Sequence, residues 1–316
     1  MSLEVRQPSA ASASTVAVLV ERHGSVAVLT LSNPPVNGLG FELRLALRDA
    51  IRQAQMAEDV RAIVLHGAGQ MFSGGADIRQ FGTPKASQSP MLRAVNHTIE
   101  ASTKPVVAAM HGHALGAGLE LAMSCHWRVA EATSLLGLPE VLLGFVPGGG
   151  GTQRLPRLVG LERALEMIGS GRRIDASEAF AVGLVDRIAN GNLLEGAIAL
   201  AIEMLDVAPF ARVTSQRAAS LPGDDVAAII AAARSGVVAD DPNRQARLEV
   251  IRCIEAATRL DIDPGLDLER AAFTTLVASD ASIRARQAFF ATRRSTQRAG
   301  PNVAVTPDLK RPGDSA

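Results

Sequence analysis

The chain has 316 residues, and its 32 Lys and Arg balance its 32 Asp and Glu, so charge favours neither a nucleic-acid nor an anionic-membrane partner. With 47% hydrophobic and 20% charged residues the composition is that of a folded globular protein, and the length suits one main domain with a smaller appendage. Cys125 and Cys253 are too few for a disulfide framework or a four-cysteine metal site, which suits a reducing compartment and makes the cytoplasm the expected location.

Residues 1–15 are rich in Ser and Ala and lack a basic region leading into an apolar stretch, so a flexible tail is expected and not a signal peptide. Val16 to Glu21 and Val26 to Leu31 flank His23-Gly24 at the spacing of two paired strands. Leu43, Ala46, Leu47, Ala50, Ile51 and Ala54 recur at steps of three and four and predict a helix. The runs Ala62 to Leu65 and Val106 to Ala109 are short, apolar and bounded by turn residues, as buried parallel strands are. Strands alternating with helices predict an α/β architecture. Beyond Leu193 the chain turns Ala-rich and helical, as in Leu194 to Leu205 and Gln245 to Leu260. Residues 297–316, Pro-containing and poor in apolar side chains, read as a disordered tail. No apolar run reaches the roughly 18 residues of a membrane span, and the final Gly313-Asp314-Ser315-Ala316 is not a peroxisomal address.

Three segments bear the residue types that chemistry needs. In Met71-Phe72-Ser73-Gly74-Gly75-Ala76-Asp77-Ile78, a run of small residues lets a ligand approach the backbone and its amides. In His111 to Ala122, a small-residue loop runs into a helix whose early turns carry Glu120 among apolar neighbours, where free amides favour an oxyanion. In Gly137 to Gly144, Glu140 follows Pro139 in similarly apolar company, and Pro147 to Arg157 adds a glycine-rich turn. Each also admits a plainer reading: a strand-to-helix turn, a surface glutamate, or an acidic first-turn residue serving only the helix dipole.

Nucleotide motifs fail, since Gly116-Ala117-Gly118 is followed by Leu121 where a dinucleotide fingerprint needs glycine, and no phosphate-binding P-loop occurs. There is no G-x-S-x-G elbow of a serine hydrolase. His111, His113, His126 and Cys125 match no standard zinc spacing, so no metal is expected.

Together the three segments resemble the motifs of the enoyl-CoA hydratase/isomerase, or crotonase, superfamily. The resemblance continues through Arg172 to Ala179 and Ala181 to Asp186. Asn33-Pro34-Pro35-Val36-Asn37 and the stretch Gly265 to Arg294, with Leu268-Glu269-Arg270, Phe273 and Ala288-Phe289-Phe290, look most like the hydratase/isomerase part of the multifunctional fatty-acid oxidation enzymes. The resemblance implies an α/β fold with a spiral ββα core over residues 16–200, and a helical C-terminal region over 201–296 that mediates contacts in a homotrimer or hexamer.

It also implies hydration of 2-enoyl-CoA thioesters, with Glu120 and Glu140 as an acid/base pair, Glu120 chiefly activating water and Glu140 chiefly delivering the C2 proton, and with the backbone amides of Ala76 and Ala117 as an oxyanion hole. Ala117 stands where the family more often has glycine, which matters only if its methyl clashes. Val36, Asp77, Ile78, Arg79, Pro139, Gly148, Phe289 and Arg293 would contact the acyl-CoA. No cofactor is implied, coenzyme A being part of the substrate. Isomerisation of a 3-enoyl thioester at the same residues, or a catalytically silent binding protein, are the alternatives, and a separate 3-hydroxyacyl-CoA dehydrogenase is the implied partner.

Overall fold

The computed structural model describes residues 16–207, 213–219 and 224–298, with side chains described to residue 292. The expected N-terminal tail and most of the C-terminal one lie outside the described residues; the last helix runs to Arg298, just inside the stretch expected to be a tail.

The two opening runs form β1 (Ala17–His23) and β2 (Val26–Ser32), which pair antiparallel. The predicted helix follows as α1 (Phe41–Met56), and then come β3 (Ala62–Gly67), the short α2 (Pro84–Ser87), α3 (Leu92–Glu100), β4 (Val106–Met110) and β5 (His113–Leu115). After α4 (Ala117–Ser124) the chain forms β6 (Trp127–Glu131), β7 (Leu135–Gly137), a 3-10 helix over Pro139–Leu143, α5 (Gly151–Val159), α6 (Leu161–Ser170), β8 (Arg173–Asp175), α7 (Ala176–Ala181) and β9 (Arg187–Ala189). The helical remainder comprises α8 (Leu193–Glu203), α9 (Val226–Ser235), α10 (Arg244–Ala257), α11 (Ile262–Val277) and α12 (Asp280–Arg298).

The main sheet has the order β1-β2-β3-β4-β6-β9 and is parallel from β2 onward; a second, three-stranded sheet has the order β5-β7-β8. Both faces of the main sheet are covered, which explains why β2, β3 and β4 read as continuous apolar runs instead of alternating ones. Ala27, Leu29, Leu31, Ile63, Leu65, Ala108 and Met110 point into the large core shared with α1, α3 and α4. Their neighbours Val26, Val28, Ala62, Val64, Val107 and Ala109 point to the other face, where Leu193, Ala197, Leu200 and Ala201 of α8 cover them at helical spacing. Asp225 and Asn192 cap α9 and α8 by accepting first-turn amides. Among the described residues no helix is long and apolar enough to cross a membrane.

The stripe on α1 seals the large core, and Leu47 within it is wholly buried whereas Met56 at the helix end is 74% exposed. Leu47→Ala is expected to cost about 2–5 kcal/mol through lost burial and a residual cavity, and Met56→Ala no more than about 0.5 kcal/mol, read from urea unfolding midpoints.

Candidate active site

The site is built where loops leave the C-terminal ends of the parallel strands. Beyond β2, Asn37 adopts a left-handed conformation (φ 50°), and its buried side-chain amide donates to the carbonyls of Ala68 and Met71 at 2.8 Å each. This locks the 33–38 turn to the loop after β3, and the Gly74 amide donates to Val36 O at 2.7 Å, so Val36 and Gly74 share one wall.

The loop over residues 73–76 is in turn stitched to β5. Ser73 N donates to His113 O and Leu115 N to Ser73 O, both at 3.0 Å. At the start of α4 a Cβ on Gly118 would stand 2.7 Å from Ser73 Cβ, so only glycine lets the helix come this close. A Cβ on Gly75 would stand 3.7 Å from Ala117 N, so the loop that carries Ala76 passes close to the start of α4. Among the described residues neither the Ala76 nor the Ala117 amide makes a backbone hydrogen bond outside a helix or strand. The methyl of Ala117 packs into the large core.

Glu120, on the first turn of α4, is 2% exposed, and its Oε1 accepts the amides of Gly149 and Gly151 at 2.8 Å each. Glu140, on the 3-10 helix after Pro139, is 9% exposed, and a Cβ on Gly116 would stand 2.7 Å from its Oε1. Its Oε2 has no hydrogen-bond partner among the described residues. Burial raises the proton affinity of both carboxyls. For Glu120 the two amides and the charges of Arg154 and Arg270 oppose the rise. For Glu140 the negative Glu120, and further Glu269, add to it, so its pKa lies well above the usual carboxylate range.

Both glutamates line a cavity of about 900 Å³. Val36, Ala76, Asp77, Ile78, Arg79, Ala117, Pro139, Gly148 and Phe289 line it too, so of the residues singled out in the sequence only Arg293 lies outside the described side chains. Arg79, expected to contact the acyl-CoA, is paired through two hydrogen bonds of 2.8 and 3.1 Å with Asp77. His126 Nδ1 accepts the Val106 amide at 3.0 Å, and His111 Nε2 lies 3.0 Å from Gly69 O.

Three wall residues on α11, Glu269, Arg270 and Phe273, were noted in the sequence only as part of a resembling stretch and given no role. Glu269 is 1% exposed and accepts Gly150 N at 2.6 Å, Thr152 N at 2.8 Å and the Thr152 hydroxyl at 2.6 Å. Burial, with the charge of Glu120, lifts its pKa to about 8 against these three bonds. A signal was present: Leu266, Glu269, Ala272 and Leu276 form the buried face of α11, so Glu269 is a charged residue on an otherwise apolar stripe.

Carboxyls that bind a proton more tightly in the fold than in the unfolded chain give stability that is complete below the unfolded value of 4.5 and is lost as pH rises through the folded value, about 8 for Glu269. The melting temperature is therefore expected to fall between about pH 5 and pH 8 and to level off above that. Calorimetry across that range checks it, and Glu269→Gln should flatten the slope.

The sequence profile of the enoyl-CoA hydratase/isomerase family matches residues 21–237. The peroxisomal bifunctional enzyme of Homo sapiens is 37% identical over 283 residues, which is 89% of this chain and 39% of the relative. A probable enoyl-CoA hydratase of Bacillus subtilis (strain 168) is 46% identical over 191 residues, 58% of this chain and 74% of its own length. The crystal structure of enoyl-CoA hydratase from Bacillus anthracis superposes with a TM-score of 0.55 at 29% identity, covering 87% of this chain and 96% of that one. The chain thus spans 39% or less of the length of the peroxisomal and glyoxysomal relatives it matches. With the mixed sheet, the glutamate-lined cavity and the C-terminal helices in place, these matches establish a crotonase-like α/β fold, and the chain belongs to the enoyl-CoA hydratase/isomerase family.

Proposed function

We propose that the chain hydrates 2-enoyl-CoA thioesters, adding hydroxide to C3 and a proton to C2. The observation that carries this reading is the unequal treatment of two carboxyls on one cavity. Glu120 accepts two amides and is opposed in its rise by two arginines, so it is the better candidate to orient a water and take its proton. Glu140, with one buried oxygen unpartnered and negative neighbours, holds a proton and is the better donor to C2. Hydration leaves the proton from water on Glu120 and a vacancy on Glu140, and return of one proton between them resets the site.

The amides of Ala76 and Ala117 would hold the thioester oxygen as negative charge develops on it; a donor of this kind is worth about 10²–10³ in rate. The coenzyme end of the substrate would lie along Val36, Asp77, Ile78 and Arg79 and reach toward Phe289 and Arg293, with Arg79 exchanging Asp77 for a phosphate. The substrate supplies the coenzyme, and the reaction draws on no separate cofactor. The same pair could move a proton between C4 and C2 of a 3-enoyl thioester, a reading supported by the family's double name.

Assembly through the helical C-terminal region into a trimer or hexamer, a cytoplasmic location, and a 3-hydroxyacyl-CoA dehydrogenase acting on the product belong to the same proposal; the bifunctional relatives support the last, and their peroxisomal names bear on the location.

Loss of the enoyl-thioester ultraviolet absorbance with crotonyl-CoA and a medium-chain 2-enoyl-CoA tests the reading. Glu120→Gln and Glu140→Gln are each expected to lower kcat by about 10²–10⁴-fold with little change in KM. A folded protein that binds coenzyme A yet turns over no 2-enoyl thioester would rule out hydration. Turnover of 3-enoyl thioesters alone would then identify an isomerase, and none at all a silent binding protein.

A further inference from the structure

Glu269 lies beyond the residues that the family profile matches, 21–237, and no part of the hydration reading uses it. Yet it is bound to the same five-residue turn that holds Glu120. Along that turn successive amides alternate: Gly149 and Gly151 donate to Glu120, whereas Gly150 and Thr152 donate to Glu269.

The peptide unit joining Gly149 to Gly150 sits at the centre of this arrangement. Its carbonyl, Gly149 O, accepts from Asn96 Nδ2 at 2.9 Å and from Arg154 Nη1 at 3.0 Å, and its N–H donates to Glu269 Oε1 at 2.6 Å. The two flanking peptide units carry the N–H groups that hold Glu120. Glycines impose little restraint of their own on such a turn, so its geometry depends on what grips it. With one end of the central unit released, both flanking amides are free to turn away from Glu120.

We propose that Glu269 is a positioning residue for the reaction centre: by gripping the amides of Gly150 and Thr152 from α11, it keeps those of Gly149 and Gly151 aimed at Glu120. This role rests on Glu120 being the reacting carboxylate. Charge reinforces it. Glu269 is faced by Glu120 on α4, Glu140 on the 3-10 helix, Arg154 on α5, Cys253 on α10 and Arg270 on its own helix. Its negative form raises the proton affinity of Glu140, the group read as the acid.

The test compares wild type, Glu269→Gln and Thr152→Val in the full-length chain. Gln keeps the shape but sets an NH2 group against a donor; Val removes the Thr152 hydroxyl, which donates to Glu269 and accepts from Gln153 Nε2 at 3.0 Å, and leaves the Thr152 amide bond to Glu269 in place. Two readings are taken: kcat and KM for enoyl-thioester hydration across pH, and hydrogen exchange of the peptide spanning residues 146–155.

Glu269→Gln is expected to lower kcat about 10–100-fold with KM within about threefold, to move the alkaline limb of the pH profile to lower pH, and to speed exchange of the turn about tenfold. Thr152→Val should move each reading the same way by less, and it decides alone if Glu269→Gln does not fold. Wild-type kcat and pH profile in the folded variants overturn the proposal, whether or not exchange quickens. A wild type that hydrates nothing defeats the hydratase reading instead; exchange then decides, quickened exchange supporting the grip of Glu269 on the turn and unchanged exchange overturning it.

Discussion

A carboxyl group buried away from water needs donors or a proton to replace the water it lost, and this protein buries Glu120, Glu140 and Glu269 along one cavity wall. The donors come chiefly from the turn that starts α5. Its amides face outward to Glu120 and Glu269, and its Gly149 carbonyl is held from behind by Asn96 and Arg154. Arg154 is itself 1% exposed and forms a two-pronged pair with Glu100 at 2.9 Å for each bond. Four helices are thereby joined through one short stretch of backbone: α3 supplies Asn96 and Glu100, α4 supplies Glu120, α5 supplies Arg154, and α11 supplies Glu269. Removing one member of such a buried pair typically costs about 3–5 kcal/mol because its partner is left unpaired. The stability of the core and the placement of Glu120 thus draw on the same contacts.

The same turn explains why chemically identical side chains differ. Donated hydrogen bonds favour the charged form, and burial disfavours it. Glu120 receives two amides, Glu269 two amides and a hydroxyl, and Glu140 is left with an unpartnered oxygen among negative neighbours. Burial raises the proton affinity of all three, and the donors and neighbouring charges each one meets decide how far that rise is opposed or reinforced. Under the proposed hydration one site gives and takes protons in a single cycle, and such a difference between its carboxyls serves that need.

Much of this was legible in the chain. The strands could be read because burial on both faces leaves only apolar side chains along β2, β3 and β4, and the glutamates because each stood among apolar neighbours in a glycine-bounded segment. Glu269 was harder. Its bonds span 117 and 119 residues, and nothing local in α11 announces the turn it meets. Its place on the buried stripe was visible, but a buried carboxylate reads as a site only once its donors are known. Arg79 shows the converse: a basic residue at a motif position suggests a phosphate contact, while the structure gives it Asp77, two residues away.

The C-terminal helices matter to the cavity for a second reason. Phe273 of α11 meets Phe81 and Phe145 edge-to-face, with ring centroids 5.8 and 5.6 Å apart, and Arg270 lies over the Phe273 ring at 5.0 Å. A Cβ on Gly148 would stand 2.7 Å from that ring, so the glycine turn and α11 are in contact on both the polar and the apolar side. Glu269 and Phe273 lie one helical turn apart and so share a face, one fixing the backbone that holds the carboxylate and the other closing the apolar wall beside it. A shift of α11 that moved Phe273 would pull on Glu269 in the same motion. The shape of the cavity and the turn that holds Glu120 are linked through this one helix.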